Sequence, residues 1–175
     1  ELSSFQLETT SSLHPDSAAV LNVPEDHLDR YDGMPGYAKA KARVFAGRGV
    51  QVLNREDSWC QKMAKADREV IWFGADAPRA ASEYGLVEIA GDFSLRVGEH
   101  EFMKASELPL AGLHNALNAL AAMALTRAIG IDDAPLVAAL KAFKGLPHRV
   151  EFIAEVNGVA YYDDSKGTNV GATEA

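Results

Sequence analysis

The chain has 175 residues and a mass of 18.8 kDa, and 47% of its residues are hydrophobic and 24% charged. This composition is typical of a globular protein and excludes a disordered, collagenous or low-complexity chain. The length suits one domain, or one domain with part of another. Lysine and arginine total 17 against 25 aspartate and glutamate residues, and this formal charge of −8 argues against nucleic-acid binding through a broad basic face.

No segment has the length and composition of a membrane span, because the longest strongly apolar stretch, residues 116–128, is too short to cross a bilayer. The single cysteine, Cys60, excludes an internal disulfide and favours a cytosolic protein. The N-terminus has neither Met nor the basic and apolar segments of a signal peptide, and the C-terminus stops where a helix would begin. We therefore expect an internal fragment of a longer parent protein.

The first half of the chain alternates between strand and helix patterns. Residues 17–23 form an apolar run that predicts a buried strand, followed by a polar loop over 25–31, a turn-rich segment over 32–36 and a helical spacing over 37–46. Short strands are predicted at 49–53 and 69–73. Strand, helix and strand in this order indicate a parallel sheet with crossover helices.

The second half changes character twice. Residues 85–107 contain three short runs separated by turn signals, which predicts a β-meander. An alanine-rich helix is predicted over 113–128, and a second helix is predicted from a cap at Asp132 or Asp133 to Gly145. Beyond the linker at 145–147, strands at 150–156 and 159–162 flank an Asn-Gly hairpin signal, so a new domain is expected to start at the linker.

Two groups of polar residues in the first half allow two interpretations each. His27 lies in an acidic loop that could hold a divalent metal, but the spacing alone favours a solvated loop. Lys39 and Lys41 follow on the next predicted helix, where lysines are usually solvated or extend along an apolar face.

Two further groups lie in the second half. Asn115 and Asn118 share one face of the alanine-rich helix and could cap it or contact a nucleotide base, and the cap is favoured on spacing alone. Residues 164–169, DSKGTN, combine a strand end, a glycine-containing loop and a helix start, an arrangement that suits a carboxylate or phosphate. They do not form a P-loop, because the G-x-x-x-x-G-K-[ST] pattern is absent from the chain.

Four segments occur in an informative order: ELSSFQLE at 1–8, LNVPEDHLDRY at 21–31, GLPHR at 145–149 and DSKGTN at 164–169. With these segments the chain resembles the Mur ligases from its first residue to its last. The amino-acid sequences of the first and third segments are similar to those of the D-glutamate-adding members of the family. Folylpolyglutamate synthetase and the other Mur ligases carry different residues at these places.

The resemblance implies an α/β fold with two parts. Residues 1–144 would be part of a P-loop-type ATPase central domain, a parallel sheet with helices and a small β-meander, from which the P-loop segment is absent. Residues 145–175 would begin a Rossmann-like C-terminal domain that binds the amino acid.

The resemblance also implies an activity for the parent. It would be a monomeric cytoplasmic enzyme of peptidoglycan synthesis that uses ATP and Mg²⁺ to join D-glutamate to UDP-N-acetylmuramoyl-L-alanine through an acyl phosphate. Neither a nucleic acid nor a membrane is an implied partner. The fragment alone is expected to be inactive, because a phosphate-cradling loop is missing.

The resemblance also implies roles for individual residues of this chain. The implied metal ligands are Glu1, His27 and Lys41, with Lys41 as a carbamate and Lys39 as the competing candidate; His27 and Lys41 are also the implied catalytic residues. The implied ATP contacts are Asn115, Asn118, Arg149 and Asp164. The implied substrate contacts are Ser3 and Gln6 for the muramoyl-alanine substrate and Lys166 and Thr168 for D-glutamate.

Two alternatives remain open at this point. The first is a ligase resembling folylpolyglutamate synthetase, which the UDP site of a first domain would distinguish. The second is a non-catalytic binding module that keeps the fold, against which the presence of Glu1, His27, Lys41 and Lys166 argues.

Overall fold

The computed structural model describes residues 1–110 and 112–167. A six-stranded sheet dominates the described part of the chain, and its strands lie side by side in sequence order. The first four strands run parallel and the last three form an antiparallel meander. The strands are β1 (Ser17–Val20), β2 (Val50–Asn54), β3 (Val70–Phe73), β4 (Tyr84–Ile89), β5 (Asp92–Val97) and β6 (His100–Lys104). The predicted parallel sheet and meander are both confirmed.

Five α-helices connect or cover these strands in the described ranges: α1 (Ser4–Thr9), α2 (Gly33–Lys41), α3 (Ser58–Met63), α4 (Leu113–Arg127) and α5 (Asp133–Ala142). Short 3₁₀ turns follow at Ala42–Phe45 and Ala105–Glu107. None of the described helices is long and apolar enough to cross a membrane.

The start of α2 differs from the sequence prediction. The segment over 32–36 was predicted as a turn, but the helix already begins at Gly33. Pro35 lies in the first turn, where its missing N–H costs no intrahelical hydrogen bond. The prediction missed α1 and α3 because each has only six residues, too few to show a helical period.

The sheet is buried on both faces. Adjacent residues Val52 and Leu53 in β2 are both 0% exposed although their side chains point to opposite sides. On one side Val52 joins a cluster with Phe73, Leu95 and the alanine-rich face of α4. On the other side Leu53 packs with the cluster that contains Cys60 of α3 and apolar residues of α2. Burial on both faces explains why these strands are mostly apolar and do not alternate between apolar and polar residues.

One buried arginine joins the carboxyl end of β2 to the loop after β3 and to the first residue of β4. Arg55 follows β2 and is 6% exposed. Its guanidinium donates to the Tyr84 carbonyl at 2.6 Å and, through Nη2, to the Asp76 carbonyl at 2.7 Å, and it pairs with the Asp76 carboxylate. A Cβ at Gly74 would lie 2.9 Å from the Arg55 guanidinium carbon. The glycine therefore leaves the space that the arginine occupies.

The last two strands, β7 (Glu151–Val156) and β8 (Val159–Asp163), form a separate antiparallel sheet. Asn157 and Gly158 at its turn both have positive φ, +54° and +77°, as a two-residue hairpin turn requires. The Asn-Gly prediction is therefore confirmed. Large apolar side chains of this hairpin are exposed, among them Phe152, Ile153, Tyr161 and Tyr162.

Replacing Arg55 should destabilise the chain strongly. Arg55→Leu would remove the buried guanidinium from the Tyr84 and Asp76 carbonyls, which would keep only their backbone amide donors, and would break the pair with the Asp76 carboxylate, at a cost of about 2–4 kcal/mol. Urea unfolding of the 175-residue chain measures the loss of unfolding free energy. Arg79→Leu is the matched control, because Arg79 also pairs with Asp76 but its side chain is 65% exposed, so its loss should cost less than about 1 kcal/mol. Equal losses for the two variants would contradict the role given to Arg55.

Candidate active site at the carboxyl edge of the sheet

The loop after β1 is held against the carboxyl end of β2. The Val23 amide donates to Asp57 Oδ2 at 3.0 Å, and the Asn54 side-chain amide donates to the Leu21 carbonyl at 3.0 Å. These bonds fix the polar loop over 24–32 at the sheet edge where ligands bind in open α/β folds.

His27 has the most constrained position in this loop. Its φ is +53°, an uncommon value for a residue other than glycine, and its amide donates to Asp26 Oδ1 at 2.9 Å. The imidazole lies against the Phe5 ring, with centroids 4.8 Å apart, and meets the edge of Tyr37 at 6.2 Å. The His27 side chain nevertheless stays 42% exposed, so it can reach a ligand.

Lys41 approaches the same tyrosine. Its Nζ lies 4.9 Å from the centroid of the Tyr37 ring, and the residue is half-buried, whereas Lys39 is exposed. The geometry therefore brings His27 and Lys41 to one aromatic ring. Lys39, the competing candidate, points away from the enclosed side of α2 into solvent.

An aromatic cluster of Phe5, Tyr31 and Tyr37 lies around His27, and the sequence did not predict it as part of the site. The Tyr31 ring lies 5.4 Å from Tyr37 and 6.4 Å from Phe5. The two tyrosines were predicted only as parts of the polar loop over 25–31 and of the helical spacing over 37–46. The available signal was the recurrence of aromatic residues on both sides of His27.

Helix α1 brings the N-terminal motif to this cluster. Arg43 donates to the Leu7 carbonyl at 2.6 Å and to the Thr10 carbonyl at 3.0 Å, which attaches the end of α1 to the segment after α2. Arg30 pairs with Glu8 at 2.5 Å, and this contact holds the pKa of the Glu8 carboxyl below its usual range. The two residues implied to contact the muramoyl substrate, Ser3 and Gln6, form the capping box of α1.

Glu1 lies next to the linker between the two sheets. Its carboxylate oxygens are 3.2 and 3.3 Å from Arg149 Nη2, although the residues are 148 positions apart. The implied metal ligand and the implied ATP-contacting arginine are therefore adjacent.

The DSKGTN loop is bonded to the same linker. The Lys166 amide donates to the His148 carbonyl at 3.1 Å, and the Val150 amide donates to Asp164 Oδ1 at 3.2 Å. The Lys166 side chain is exposed. Thr168, the other implied D-glutamate contact, lies outside the described residues.

Asn115 and Asn118 lie in the first two turns of α4, half-buried and exposed respectively. The N-cap position of α4 is occupied by Gly112, with φ of +108°, so both asparagines follow it within the helix. Their roles stay a prediction.

The donor groups present fit Mg²⁺ in part. Mg²⁺ is usually held by one or two carboxylates together with water and substrate phosphates, a role that the exposed Glu1 carboxylate suits. The exposed imidazole of His27 can add a neutral ligand. Lys41 as an ammonium group repels a cation, and it fits only after its amine has become an anionic carbamate. Among the described residues, the one group of three or more metal-ligating side chains that lie together is elsewhere, at His148, Glu151 and Asp163.

The chain is similar to known proteins along its whole length. The Mur ligase middle domain matches residues 1–126. UDP-N-acetylmuramoylalanine--D-glutamate ligases from Methylobacillus flagellatus and Thiobacillus denitrificans are 54% and 57% identical to it over 175 residues. Those matches cover 100% of this chain but 39% and 36% of the two relatives, so the chain spans less than half of their length.

Solved structures agree with this similarity. A MurF structure from Acinetobacter baumannii superimposes with a TM-score of 0.77 at 25% identity, over 93% of this chain and 36% of the other. The UDP-N-acetylmuramate-alanine ligase MurC from Thermotoga maritima gives 0.69 at 24% identity, over 95% and 37%, and shows the same fold. The fold is therefore the mixed α/β arrangement, with a mostly parallel sheet, of Mur ligase structures. The chain belongs to the Mur ligase family.

Proposed function

We propose that a polypeptide of the relatives' length that includes these 175 residues, called the full-length ligase below, joins D-glutamate to UDP-N-acetylmuramoyl-L-alanine at the expense of ATP. The proposal rests mainly on the contacts made by the turn over 146–150. This turn contacts Glu1 on one side through Arg149 and the Lys166 loop on the other. A nucleotide-and-metal side and an amino-acid side would thus meet at one linker.

The names and identities of the curated relatives support the same substrates. Two relatives named for D-glutamate addition share more than half of the residues of this chain over its whole length. The ligase would be a cytoplasmic, monomeric enzyme of peptidoglycan synthesis.

The two-sheet organisation supports a domain assignment. We assign residues 1–144 to a P-loop-type central domain that lacks its P-loop segment here and residues 145–175 to the start of a Rossmann-like domain. The β7–β8 hairpin forms its own sheet, and its apolar side chains are exposed. Both features fit a second domain.

In the first step of the proposed reaction, the alanyl carboxylate attacks the γ-phosphorus of ATP, and the bond to the β,γ-bridging oxygen breaks to give an acyl phosphate and ADP. Bound Mg²⁺ would neutralise phosphate charge during this transfer. Glu1, His27 and carbamylated Lys41 would hold the metal ions. Asn115 and Asn118 would orient the adenine, and Arg149 and Asp164 would contact the nucleotide from the linker.

In the second step, the amine of D-glutamate attacks the acyl carbon, loses a proton, and expels phosphate to leave an amide. D-glutamate carries two carboxylates, and their burial requires a fixed cation with hydroxyl and backbone donors. Lys166 would supply the charge and Thr168 the hydroxyl. Ser3 and Gln6, which form the start of α1, would border the muramoyl-alanine substrate.

The activity itself is tested by phosphate release from the full-length ligase. Release should require ATP, Mg²⁺, UDP-N-acetylmuramoyl-L-alanine and D-glutamate together. A ligase resembling folylpolyglutamate synthetase would accept a folate in place of the UDP-sugar, and a binding module would release no phosphate. Residues 1–175 alone should stay at background, since they contain no phosphate-cradling loop motif.

Lys41 should be essential and chemically replaceable. In the full-length ligase Lys41→Ala should lose most activity, and added short-chain carboxylates should restore part of it by standing in for the carbamate. Phosphate release with and without added carboxylate measures both effects. The matched control is Lys39→Ala, which removes an exposed lysine from the same helix and should change little. An inactive Lys39 variant beside an active Lys41 variant would move the site by two positions.

Lys166 should select for D-glutamate. Lys166→Ala should raise the KM for D-glutamate by a factor on the order of ten to a hundred, because one charge-assisted contact of about 1.5–3 kcal/mol is lost. The KM for ATP should change much less, since Asn115 and Asn118 lie on a different element. Equal losses for both substrates would show that Lys166 positions the domain or ATP.

A further inference from the structure

We propose that His148 is a positioning residue that fixes the Lys166 loop to the turn bearing Arg149, so that the amino-acid side and the nucleotide side of the site keep one relative geometry. The inference rests on the proposed function of Lys166 and Arg149. It assigns to His148 a role that follows from its contacts alone.

His148 makes three bonds that join separate parts of this region. Its Nδ1 lies 2.7 Å from Asp163 Oδ2, at the end of β8. Its carbonyl accepts the Lys166 amide at 3.1 Å. Its own amide donates to Glu151 Oε2, at the start of β7, at 2.9 Å. One residue therefore connects the linker to both strands of the hairpin and to the lysine loop.

Further bonds close the same region. The Val150 amide donates to Asp164 Oδ1 at 3.2 Å, and the Ser165 amide donates to Asp163 Oδ1 at 2.9 Å. Asp163 is thus bonded to His148 through Oδ2 and to Ser165 of the Lys166 loop through Oδ1. The bond from His148 is the main reason why the pKa of Asp163 lies below its usual range.

The backbone of the linker is held in an unfavourable conformation. His148 has φ of +66° and the β-branched Val150 has φ of +47°. Left-handed conformations cost about 1–3 kcal/mol at such residues and persist only where surrounding contacts hold them. The bonds of His148 and Val150 are the contacts that hold this turn.

The held turn has a functional consequence because Arg149 lies between the two strained residues. Arg149 reaches the Glu1 carboxylate at 3.2 Å. A change in the direction of the turn would move Arg149 and the Lys166 amide together. Loss of the His148–Asp163 bond alone would loosen the Lys166 loop, which would keep only the bonds from the Lys166 amide to the His148 carbonyl and from the Val150 amide to Asp164, and would leave the position of Arg149 on the turn.

The test uses three single substitutions in the full-length ligase and one double variant that combines His148→Gly with Asp163→Asn. His148→Gly removes the imidazole and allows the positive φ, so it isolates the side chain. His148→Asn keeps a donor near the Nδ1 position and also tolerates a positive φ. Asp163→Asn alters the acceptor and retains an oxygen for the Ser165 amide.

We expect His148→Gly to raise the KM for D-glutamate about fivefold to twentyfold. The kcat and the KM for ATP should stay within about twofold of the unaltered ligase, because the substitution misplaces Lys166 without removing it. His148→Asn should stay within about twofold in all three constants, since the donor to Asp163 is kept. Adding Asp163→Asn to His148→Gly should raise the KM no further, because both changes break one bond.

Additive effects of the two substitutions would overturn the inference, as would a His148→Gly variant that loses only thermal stability or kcat. A His148→Asn variant as impaired as His148→Gly would also overturn it.

A separate readout distinguishes failure of the proposed function. If the unaltered ligase shows no D-glutamate-dependent phosphate release, the proposed function is wrong. Hydrogen exchange of the Lys166 amide still tests whether His148 holds the Lys166 loop in place. That amide should exchange at least about tenfold faster in His148→Gly than in His148→Asn. Equal exchange rates would overturn the positioning role.

Discussion

Burial of the parallel sheet on both faces is the constraint on which the rest of the structure depends. Val52 and Leu53 are adjacent and fully buried, so both sides of β2 must be covered by helices. Helix α4 covers one side, and α2 and α3 cover the other. Crossover connections of this kind place the carboxyl ends of the parallel strands β1 to β4 at one edge. The loop that carries His27 and the residue Arg55 lie at this edge for the same reason.

The sequence was sufficient for the elements with a long or distinctive pattern. The parallel strands, the meander, α4, α5 and the Asn-Gly hairpin were all predicted, because apolar runs and turn residues mark them without reference to tertiary contacts. The early start of α2 was missed, since Asp32, Gly33 and Pro35 are turn residues whose helical state depends on packing of the next turns. Helices α1 and α3 were missed because six residues are too few to show a helical period, although Ser3 and Asp57 cap them.

The site could be predicted less completely than the fold. Family motifs pointed to His27, Lys41, Arg149 and Lys166, and their roles remain predictions. The grouping of these residues could not be derived from the sequence. The contact of His27 and Lys41 with one Tyr37 ring depends on how α2 is rotated against the loop, and the Glu1–Arg149 contact joins residues that are 148 positions apart.

The contact between Glu1 and Arg149 has a consequence for how charge is distributed at the linker. Both carboxylate oxygens of Glu1 lie within 3.3 Å of the guanidinium, so a divalent cation that takes Glu1 as a ligand competes with Arg149 for the same oxygens. Cation affinity and the direction of the linker are then thermodynamically linked. A linker that carried Arg149 away from Glu1 would raise the affinity of the carboxylate for a cation, and a bound cation would in turn release the arginine toward other anions.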